Sequence, residues 1–355
     1  MTNAGLEGVV VADTQISDVD GERGRLIIAG ADVEQLAPVT SYEAAVSRVL
    51  VAGGGDTRAA VTPEDIAAAR VAAWSQVPAL GDALAHPDGM DALRTALGHL
   101  RATGDQRGDA LAAIGAAPVF VAAWSRHQAG RALIAPSAEL GHAADYLRMT
   151  TGEGADPACV RALDAYLVTV IDHAMSASTF TARVIASTHS DLLSALVGAV
   201  GALKGPLHGG APGPVLDMLD AIATPDNAEA WLLAELAAGR RIMGMGHRVY
   251  RVRDPRAAVL EEAVKPLASP RLALARAVET AAAKILRERK PDRALAANVE
   301  FYTAVLLDAV GLPRNQFAPT FAVSRIAGWS AHVLEERRTG RLIRPSSRYV
   351  GPMPG

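Results

Sequence analysis

From Ser41 onward, apolar residues recur at three- and four-residue steps along most of the chain. This spacing places apolar side chains on one face of an α-helix, whereas a strand alternates with a period of two. The clearest predicted helix runs from Phe180 to Leu203, and another runs from about Phe321 to Arg338 and ends at Gly340. Strands do not alternate with helices, so a doubly wound α/β sheet is not expected. The sequence predicts an all-α fold.

Strand character is confined to the first part of the chain. Gly8–Ala12 and Arg25–Gly30 are short apolar runs bracketed by Asp and Gly, and they predict a small N-terminal β-hairpin. The longest apolar stretch, about 110 to 124, contains Pro118 and is shorter than the ~18–20 residues that span a bilayer. It predicts a buried helix.

Composition limits the classes of partner. At 355 residues with 50% apolar but only 4% aromatic residues, the chain predicts about two domains with a core of Ala, Leu and Val. The net charge of −3 gives no reason to expect nucleic acid or a membrane surface as partner. The single cysteine, Cys159, rules out an intrachain disulfide. The N-terminus lacks a signal-peptide pattern, and a cytoplasmic location is expected.

His208 lies in a Gly-Pro-Leu-His-Gly-Gly loop that follows the predicted helix ending at Leu203. The glycine pair leaves room for a ligand beside the imidazole. An incidental histidine in a turn is the alternative interpretation.

Gly244–Arg256 opens with Gly-x-Gly, but it lacks the third glycine and the preceding strand of a dinucleotide site. What remains is His247 followed by four arginines within ten residues. Such a cluster is either a solvated face or a site for an anionic substrate, because guanidinium groups match carboxylate geometry.

Glu300 follows Asn298, a good N-cap, at the head of an apolar run that ends at Gly311. A carboxylate in the first helical turn stabilises the helix, and it is also equipped for proton transfer.

In their residues and in their order along the chain, these three segments resemble the catalytic segments of the citrate synthase family, in its short bacterial–archaeal form. Ala202–Ala211 matches without a gap, and Gly244–Arg256 is similar to the family signature Gly-x-Gly-His-x-Val-x-x-x-x-Asp-Pro-Arg. Asn298-Val-Glu300 falls on the catalytic Asn-Val-Asp segment, with Glu in place of the usual Asp. Resemblance in family order extends over nearly the whole chain and is weakest between about 50 and 131.

The resemblance implies three catalytic groups. Glu300 would remove a proton from the methyl group of acetyl-CoA while His208 hydrogen-bonds the thioester oxygen. His247 would donate a hydrogen bond to the ketone oxygen of oxaloacetate. Glu is one methylene longer than Asp, which extends its reach by about 1 Å, and an error of that size can cost ~10²-fold in rate.

The resemblance also implies a substrate set: His173, Arg256, Arg325, Asn298 and Phe321, with Arg344 supplied by the other subunit of a homodimer. For coenzyme A it implies Gly244, Met245, Gly246 and Arg251, with Arg293 in place of a lysine common in relatives. The altered surroundings of His173 depart from the usual Asp-His-Glu-Leu-Asn pattern. No metal is expected, because hydrogen-bond donors would polarise both carbonyls. No tightly bound cofactor is expected either, because the coenzyme A thioester would be a substrate.

The family architecture implies a large domain of residues 1–210 and 317–355 and a small domain of residues 211–316. The function implied is the condensation of acetyl-CoA with oxaloacetate to citrate. The alternatives are a 2-methylcitrate synthase that uses propionyl-CoA, and a weakly active paralogue that binds coenzyme A or dicarboxylates.

Overall fold

The computed structural model describes residues 4–6, 8–208, 212–289 and 295–354. Helices dominate these ranges, which confirms the all-α prediction. The strands and α-helices are β1 (Ser17–Asp20), β2 (Arg25–Ile28), β3 (Ala31–Asp32), α1 (Val33–Leu36), α2 (Tyr42–Gly54), α3 (Pro63–Trp74), α4 (Gly89–Leu97), α5 (Gln106–Gln128), α6 (His142–Thr151), α7 (Pro157–Val170), α8 (Ala177–Ser187), α9 (Leu192–Leu203), α10 (Pro212–Ile222), α11 (Ala228–Ala237), α12 (Pro255–Val264), α13 (Pro270–Arg289), α14 (Val299–Ala309) and α15 (Phe317–Thr339).

The N-terminal hairpin forms, but its first strand is not the predicted one. β1 pairs antiparallel with β2, with Ser17 opposite Ile28 and Asp20 opposite Arg25, and β3 adds a short third strand. The predicted run Gly8–Ala12 is not a strand, and Val10 is 84% exposed. The nearer segment prevails because a short turn from Asp20 to Arg25 closes at less entropic cost than a long loop.

The predicted helix from Phe180 to Leu203 is two helices. α8 ends at Ser187 and α9 begins at Leu192, and His189 between them has a left-handed φ of 64°. Asp191 caps α9 by accepting a hydrogen bond from the Ser194 amide at 2.8 Å. Periodicity alone missed the break because the apolar spacing continues across it, whereas the Asp cap marks it.

α15 starts at Phe317, before the predicted Phe321, and ends ahead of Gly340 as expected. It runs through the core and packs against α2, α5, α7, α8 and α9. Close approach depends on small residues: a Cβ at Gly53 would lie 2.2 Å from the Ala331 carbonyl oxygen, and one at Gly328 would lie 2.2 Å from that of Ile171. A core poor in aromatic residues is therefore filled by bringing backbones together.

α5 confirms the predicted buried helix and extends it beyond the apolar stretch. Within the described ranges it is the one helix whose length and composition suffice to cross a bilayer, and 89% of that apolar window is buried inside the protein. A helix buried in a protein core can have the same length and apolar composition as a membrane-spanning one. The two-domain division stays a prediction, and its first junction, at residues 210 and 211, falls outside the described residues.

Candidate active site

His208 follows α9 and turns back onto the start of α8. Its Nε2 accepts a hydrogen bond from the Ser178 amide at 3.2 Å and lies 2.8 Å from the Ser178 hydroxyl. Burial, and then the Arg325 charge, lowers the pKa of His208 to about 4, so the ring is neutral at pH 7. Because Nε2 accepts a backbone N–H, the single proton of the ring is on Nδ1.

His247 lies in the loop between α11 and α12 and has the opposite tautomer. Its Nδ1 accepts hydrogen bonds from the Val249 amide at 3.0 Å and the Tyr250 amide at 3.2 Å. Burial, and then the Arg256 charge, lowers the pKa of His247 to about 4. The neutral ring therefore carries its proton on Nε2, which is placed to donate to an acceptor.

His173 follows α7 and meets His247 through a shared tyrosine. The two imidazole centroids are 5.5 Å apart, and the His173 Nε2 is 3.2 Å from the Tyr250 hydroxyl. Burial, followed by the charges of Arg256 and Arg325, lowers the pKa of His173 well below its usual value. Sequence reasoning missed Tyr250, although its position three residues after His247 lies within the recognised segment.

A short backbone ladder joins two of the predicted catalytic segments. The Gly246 amide donates to the Ala296 carbonyl at 2.7 Å, and the Asn298 amide donates to the Gly244 carbonyl at 2.9 Å. The Asn298 side chain strengthens this ladder, because its Nδ2 donates to the Gly246 carbonyl at 2.8 Å while its Oδ1 accepts from the Glu300 amide at 3.0 Å. The ladder fixes the glycine segment beside the start of α14.

The predicted substrate-binding role of Asn298 stays a prediction. Both ends of its side-chain amide are already bonded within the chain, and Asn298 is the N-cap of α14, as expected from the sequence.

Glu300 is in the first turn of α14, half-buried. Burial raises its pKa to about 7, with Arg256 opposing and Asp254 supporting that rise. Its Oε2 has no hydrogen-bond partner within the described part of the chain. A carboxylate with an unshared oxygen and a pKa near neutrality is suited to accept a proton at pH 7.

Arg256 is buried at the start of α12 and is held by a carboxylate two residues before it. Its Nε and Nη2 donate to the two Asp254 oxygens at 3.0 and 2.7 Å. The same Nη2 is 3.4 Å from the His247 Nε2. Since both nitrogens carry protons, they converge on a position that suits an oxygen acceptor.

Arg325, on α15, is almost fully buried. Its Nε donates to the Val170 carbonyl at 2.7 Å, and its guanidinium lies 4.6 Å from the ring centre of Phe321. Its Nη2 has no partner within the described residues. Burial lowers its pKa to about 10, which leaves it charged at pH 7. Phe321 therefore packs against the Arg325 guanidinium, whose Nη2 is a buried hydrogen-bond donor without a partner in the described residues.

The segment assigned to coenzyme A is described only in part. Gly244 and Gly246 have left-handed φ values of 72° and 84°, and Met245 forms an isolated bridge with Ala297. Arg251 is exposed, with its Nε 4.0 Å from a carboxylate oxygen of Glu22. Arg293 lies outside the described residues.

Arg344 is on the exposed, extended segment that follows α15. Next to it, the Ile343 amide donates to the Ser187 hydroxyl at 3.1 Å. Ser187 is nine residues along α8 from Ser178, the partner of His208, which corresponds to about 13 Å of helix. The role of Arg344 across an interface stays a prediction.

The arrangement combines two neutral imidazoles with opposite tautomers, a carboxylate of raised pKa and two buried arginines. Two hydrogen-bond donors and a base around cationic groups are suited to deprotonating a carbon acid and polarising the carbonyl of an anionic partner. No cluster of three or more potential metal ligands is found among the described residues.

Comparison with known proteins identifies the family to which the chain belongs. The family model described as "Citrate synthase, C-terminal domain" matches residues 5–346. "Putative citrate synthase 2" of Mycobacterium tuberculosis is 53% identical over 207 residues, a match that spans 58% of this chain and 56% of that relative. Citrate synthase of Deinococcus radiodurans is 36% identical over 98% of this chain and 95% of its own length. The 2-methylcitrate synthase of M. tuberculosis is 36% identical over 98% of this chain and 90% of its own length.

Solved structures give the same result. Citrate synthase from Thermotoga maritima superposes with a TM-score of 0.85 and 35% identity, covering 99% of this chain and 97% of that one. A ternary complex of carboxymethyl coenzyme A and oxaloacetate with citrate synthase from Thermoplasma acidophilum superposes with a TM-score of 0.86 and 27% identity, covering 98% and 96%. Sequence motifs, fold and comparisons agree, and the chain belongs to the citrate synthase family.

Proposed function

We propose that this protein condenses acetyl-CoA with oxaloacetate and water to give citrate and coenzyme A. The observation that carries the proposal is the grouping of two neutral imidazoles and a carboxylate with a pKa of about 7 around the same buried arginines. The Arg256 charge acts on His247 and Glu300, and the Arg325 charge acts on His208 and Glu300. The names of the relatives, and the coenzyme A analogue and oxaloacetate bound in the T. acidophilum enzyme, support the same assignment.

The chemistry starts at Glu300. Its carboxylate takes a proton from the acetyl methyl group, and the Nδ1–H of His208 hydrogen-bonds the thioester oxygen as it gains enol character. The enol carbon then attacks the ketone carbon of oxaloacetate. The Nε2–H of His247 donates to the ketone oxygen, which gains negative charge as the new C–C bond forms. Water cleaves the thioester of the resulting citryl-CoA, and coenzyme A leaves as the thiol.

Oxaloacetate is a dianion, and the buried arginines fit that charge. Arg325 offers an unpaired Nη2, and Arg256 points its Nη2 to the same region as the His247 Nε2. Glu300 replaces the usual Asp without losing its basicity, because burial keeps its pKa at about 7. This favours an active enzyme over the alternative of a weakly active binding paralogue.

The acyl donor can also be propionyl-CoA, since one relative is named 2-methylcitrate synthase. A single methylene changes discrimination by only ~1–3 kcal/mol. We further propose that the protein is a cytoplasmic homodimer in which Arg344 completes the oxaloacetate site of the neighbouring subunit.

The experiment is steady-state release of coenzyme A thiol with oxaloacetate, comparing acetyl-CoA and propionyl-CoA. Turnover that depends on oxaloacetate is expected, and the donor with the higher kcat/KM identifies the physiological substrate class. Calorimetric binding of oxaloacetate without turnover of either thioester would overturn the proposal in favour of the binding paralogue.

A further inference from the structure

We propose that the N-terminal β-hairpin is a positioning device for the oxaloacetate half of the site, with Ser17 and Gly21 as its two contact points. Ser17 fixes the turn that carries His173, and Gly21 fixes the segment that orients His247. This inference deepens the proposed function and rests on it. Ser17 and Gly21 belong to none of the predicted catalytic or substrate-binding sets and act through His173 and His247, so they are positioning residues.

The first contact is at the start of β1. The buried Ser17 hydroxyl donates to the Asp172 carboxylate and accepts from the Ala174 amide at 2.8 Å. Asp172 and Ala174 flank His173 on both sides. Ala174 has a φ of 47°, in the left-handed region that costs a non-glycine residue free energy. A strained turn of this kind persists only where its surroundings hold it, and Ser17 supplies two of those bonds.

The Asp172 carboxylate is also held from the opposite side. The Nε2 of the buried His332, on α15, lies 3.2 Å from its Oδ2. His332 in turn accepts at Nδ1 from the Arg183 Nε at 3.0 Å, so its Nε2 carries a proton towards Asp172. Burial opposes the charge of Asp172, but His332 and Arg325 lower its pKa below the usual value. The carboxylate therefore stays ionised and accepts from Ser17 and His332 together.

The second contact is at the tip of the hairpin. The Gly21 carbonyl accepts from the Arg251 amide at 2.9 Å. A Cβ at Gly21 would lie 2.3 Å from the Val249 carbonyl oxygen, a distance that side chains do not tolerate. Val249 and Tyr250 are the residues whose amides set the His247 tautomer. The hairpin tip therefore lies directly against the backbone that orients His247.

Both contacts are on the same short element. Ser17 and Gly21 are four residues apart, which corresponds to roughly 13 Å of extended chain. The two imidazoles that they support are 5.5 Å apart between ring centres and share Tyr250. β1 and the turn that follows it therefore set the relative position of His173 and His247, which lie in the segments after α7 and before α12.

Two roles of the hairpin can be separated by measuring stability and substrate affinity. One role only supports the fold, and the other positions His173 and His247. Loss of structural support lowers the melting temperature and the amount of active enzyme but leaves KM unchanged. Loss of positioning raises the Kd and KM for oxaloacetate in protein that is fully folded, and leaves the KM for the acyl-CoA unchanged.

The experiment uses the full-length protein with Ser17→Ala and Gly21→Ala, each against a matched control. Ser17→Thr keeps the hydroxyl. Gly201→Ala adds the same methyl group at an exposed position of α9 with open space around it. Oxaloacetate Kd is measured by calorimetry, KM and kcat by coenzyme A release, and folding by thermal denaturation.

Ser17→Ala and Gly21→Ala are expected to raise the oxaloacetate Kd and KM by about 10-fold or more. Ser17→Thr and Gly201→Ala are expected to stay within twofold of the parent. The double variant is expected to lose less than the product of the single effects, because both changes disturb the same pair of imidazoles.

Unchanged oxaloacetate Kd in folded Ser17→Ala and Gly21→Ala would overturn the inference, as would losses that follow the melting temperature alone. Calorimetry needs no turnover. A parent protein that binds oxaloacetate without releasing coenzyme A would therefore count against the proposed function while still testing the hairpin.

Discussion

The two halves of the candidate site are built in different ways. On the proposed oxaloacetate side, each group is held by hydrogen bonds. His173 bonds to the Tyr250 hydroxyl, His247 accepts from backbone amides, and Arg256 donates to Asp254. On the acyl side, Glu300 keeps an oxygen without a partner in the described part of the chain, and its pKa is raised to about 7. In the proposed mechanism, the groups that polarise a carbonyl are therefore fixed in place, whereas the proposed base is left unpaired and poorly solvated as an anion.

The largest effect on activity is expected from removal of the proposed base. Glu300→Gln is expected to lower kcat by 10²–10⁴-fold, since it removes the proton acceptor and keeps the size of the side chain. Oxaloacetate affinity, measured by calorimetry, is expected to stay within about threefold, because its binding groups are on the other side. Near-normal kcat in this variant would show that another residue is the base.

Glu300→Asp tests how the length of this side chain is accommodated. It is expected to lower kcat by about 10²-fold, because the shorter side chain withdraws the carboxylate by about 1 Å. Exchange of the acetyl-CoA methyl protons with deuterated solvent isolates the enolisation step and should fall in parallel. Glu262→Gln, on the exposed face of α12, is the matched control for the loss of one carboxylate.

The oxaloacetate side is tested by Arg325→Lys. The charge is kept, but the guanidinium fork and its stacking on Phe321 are lost, and KM for oxaloacetate is expected to rise about 10- to 100-fold. The acyl-CoA KM should change little. Arg287→Lys, on the exposed face of α13, is the control for the same exchange at the surface. An equal rise in both KM values would contradict the division of the site into two halves.

The pH dependence of kcat/KM distinguishes the proposed base, Glu300, from the two histidines. The folded-state pKa of Glu300 is about 7, and only its ionised form accepts a proton, so kcat/KM is expected to fall about 10-fold per unit as pH decreases below 7. The pKa values of His208 and His247 are about 4, so neither ring titrates between pH 5 and 9. A profile that stays flat from pH 5 to 8 would contradict the assignment of Glu300.

The smallest expected effect is at Ser178. Ser178→Ala removes one of the two bonds that hold the His208 Nε2, worth about 1 kcal/mol, so kcat is expected to fall about fivefold. The backbone amide of the same residue still sets the tautomer. The deuterium exchange of acetyl-CoA is the measurement, and an unchanged rate would show that the amide alone suffices.

The helical class, the cap at Asn298 and the segments carrying His208, His247 and Glu300 could all be predicted from the sequence. Each depends on local spacing or on a few adjacent residues, which the chain displays directly. The long-range contacts that hold the turn carrying His173 could not. Ser17 and Asp172 are 155 residues apart in sequence, and Arg183 and His332 are 149 apart. Contacts between residues so far apart in sequence arise only when distant elements pack together, and no local sequence pattern encodes that packing.

The wrong strand and the missed break in the long helix have a related cause. Gly8–Ala12 has the apolar composition of a strand, but the turn after Asp20 selects a different partner for β2. The run from Phe180 to Leu203 has continuous apolar spacing, but Asp191 starts a new helix within it. In both cases a short polar signal decided the structure against a longer apolar one.

The indole of Trp329 gives the site an optical reporter. Its Nε1 donates to the Ser178 hydroxyl at 3.2 Å, and that hydroxyl is 2.8 Å from the His208 Nε2. Of the four tryptophans in the chain, this one alone is linked in the described structure to a predicted catalytic group through a single hydroxyl. The emission of Trp329 is therefore expected to change when a ligand bonds to the His208 imidazole, so that binding can be followed by fluorescence without any attached label.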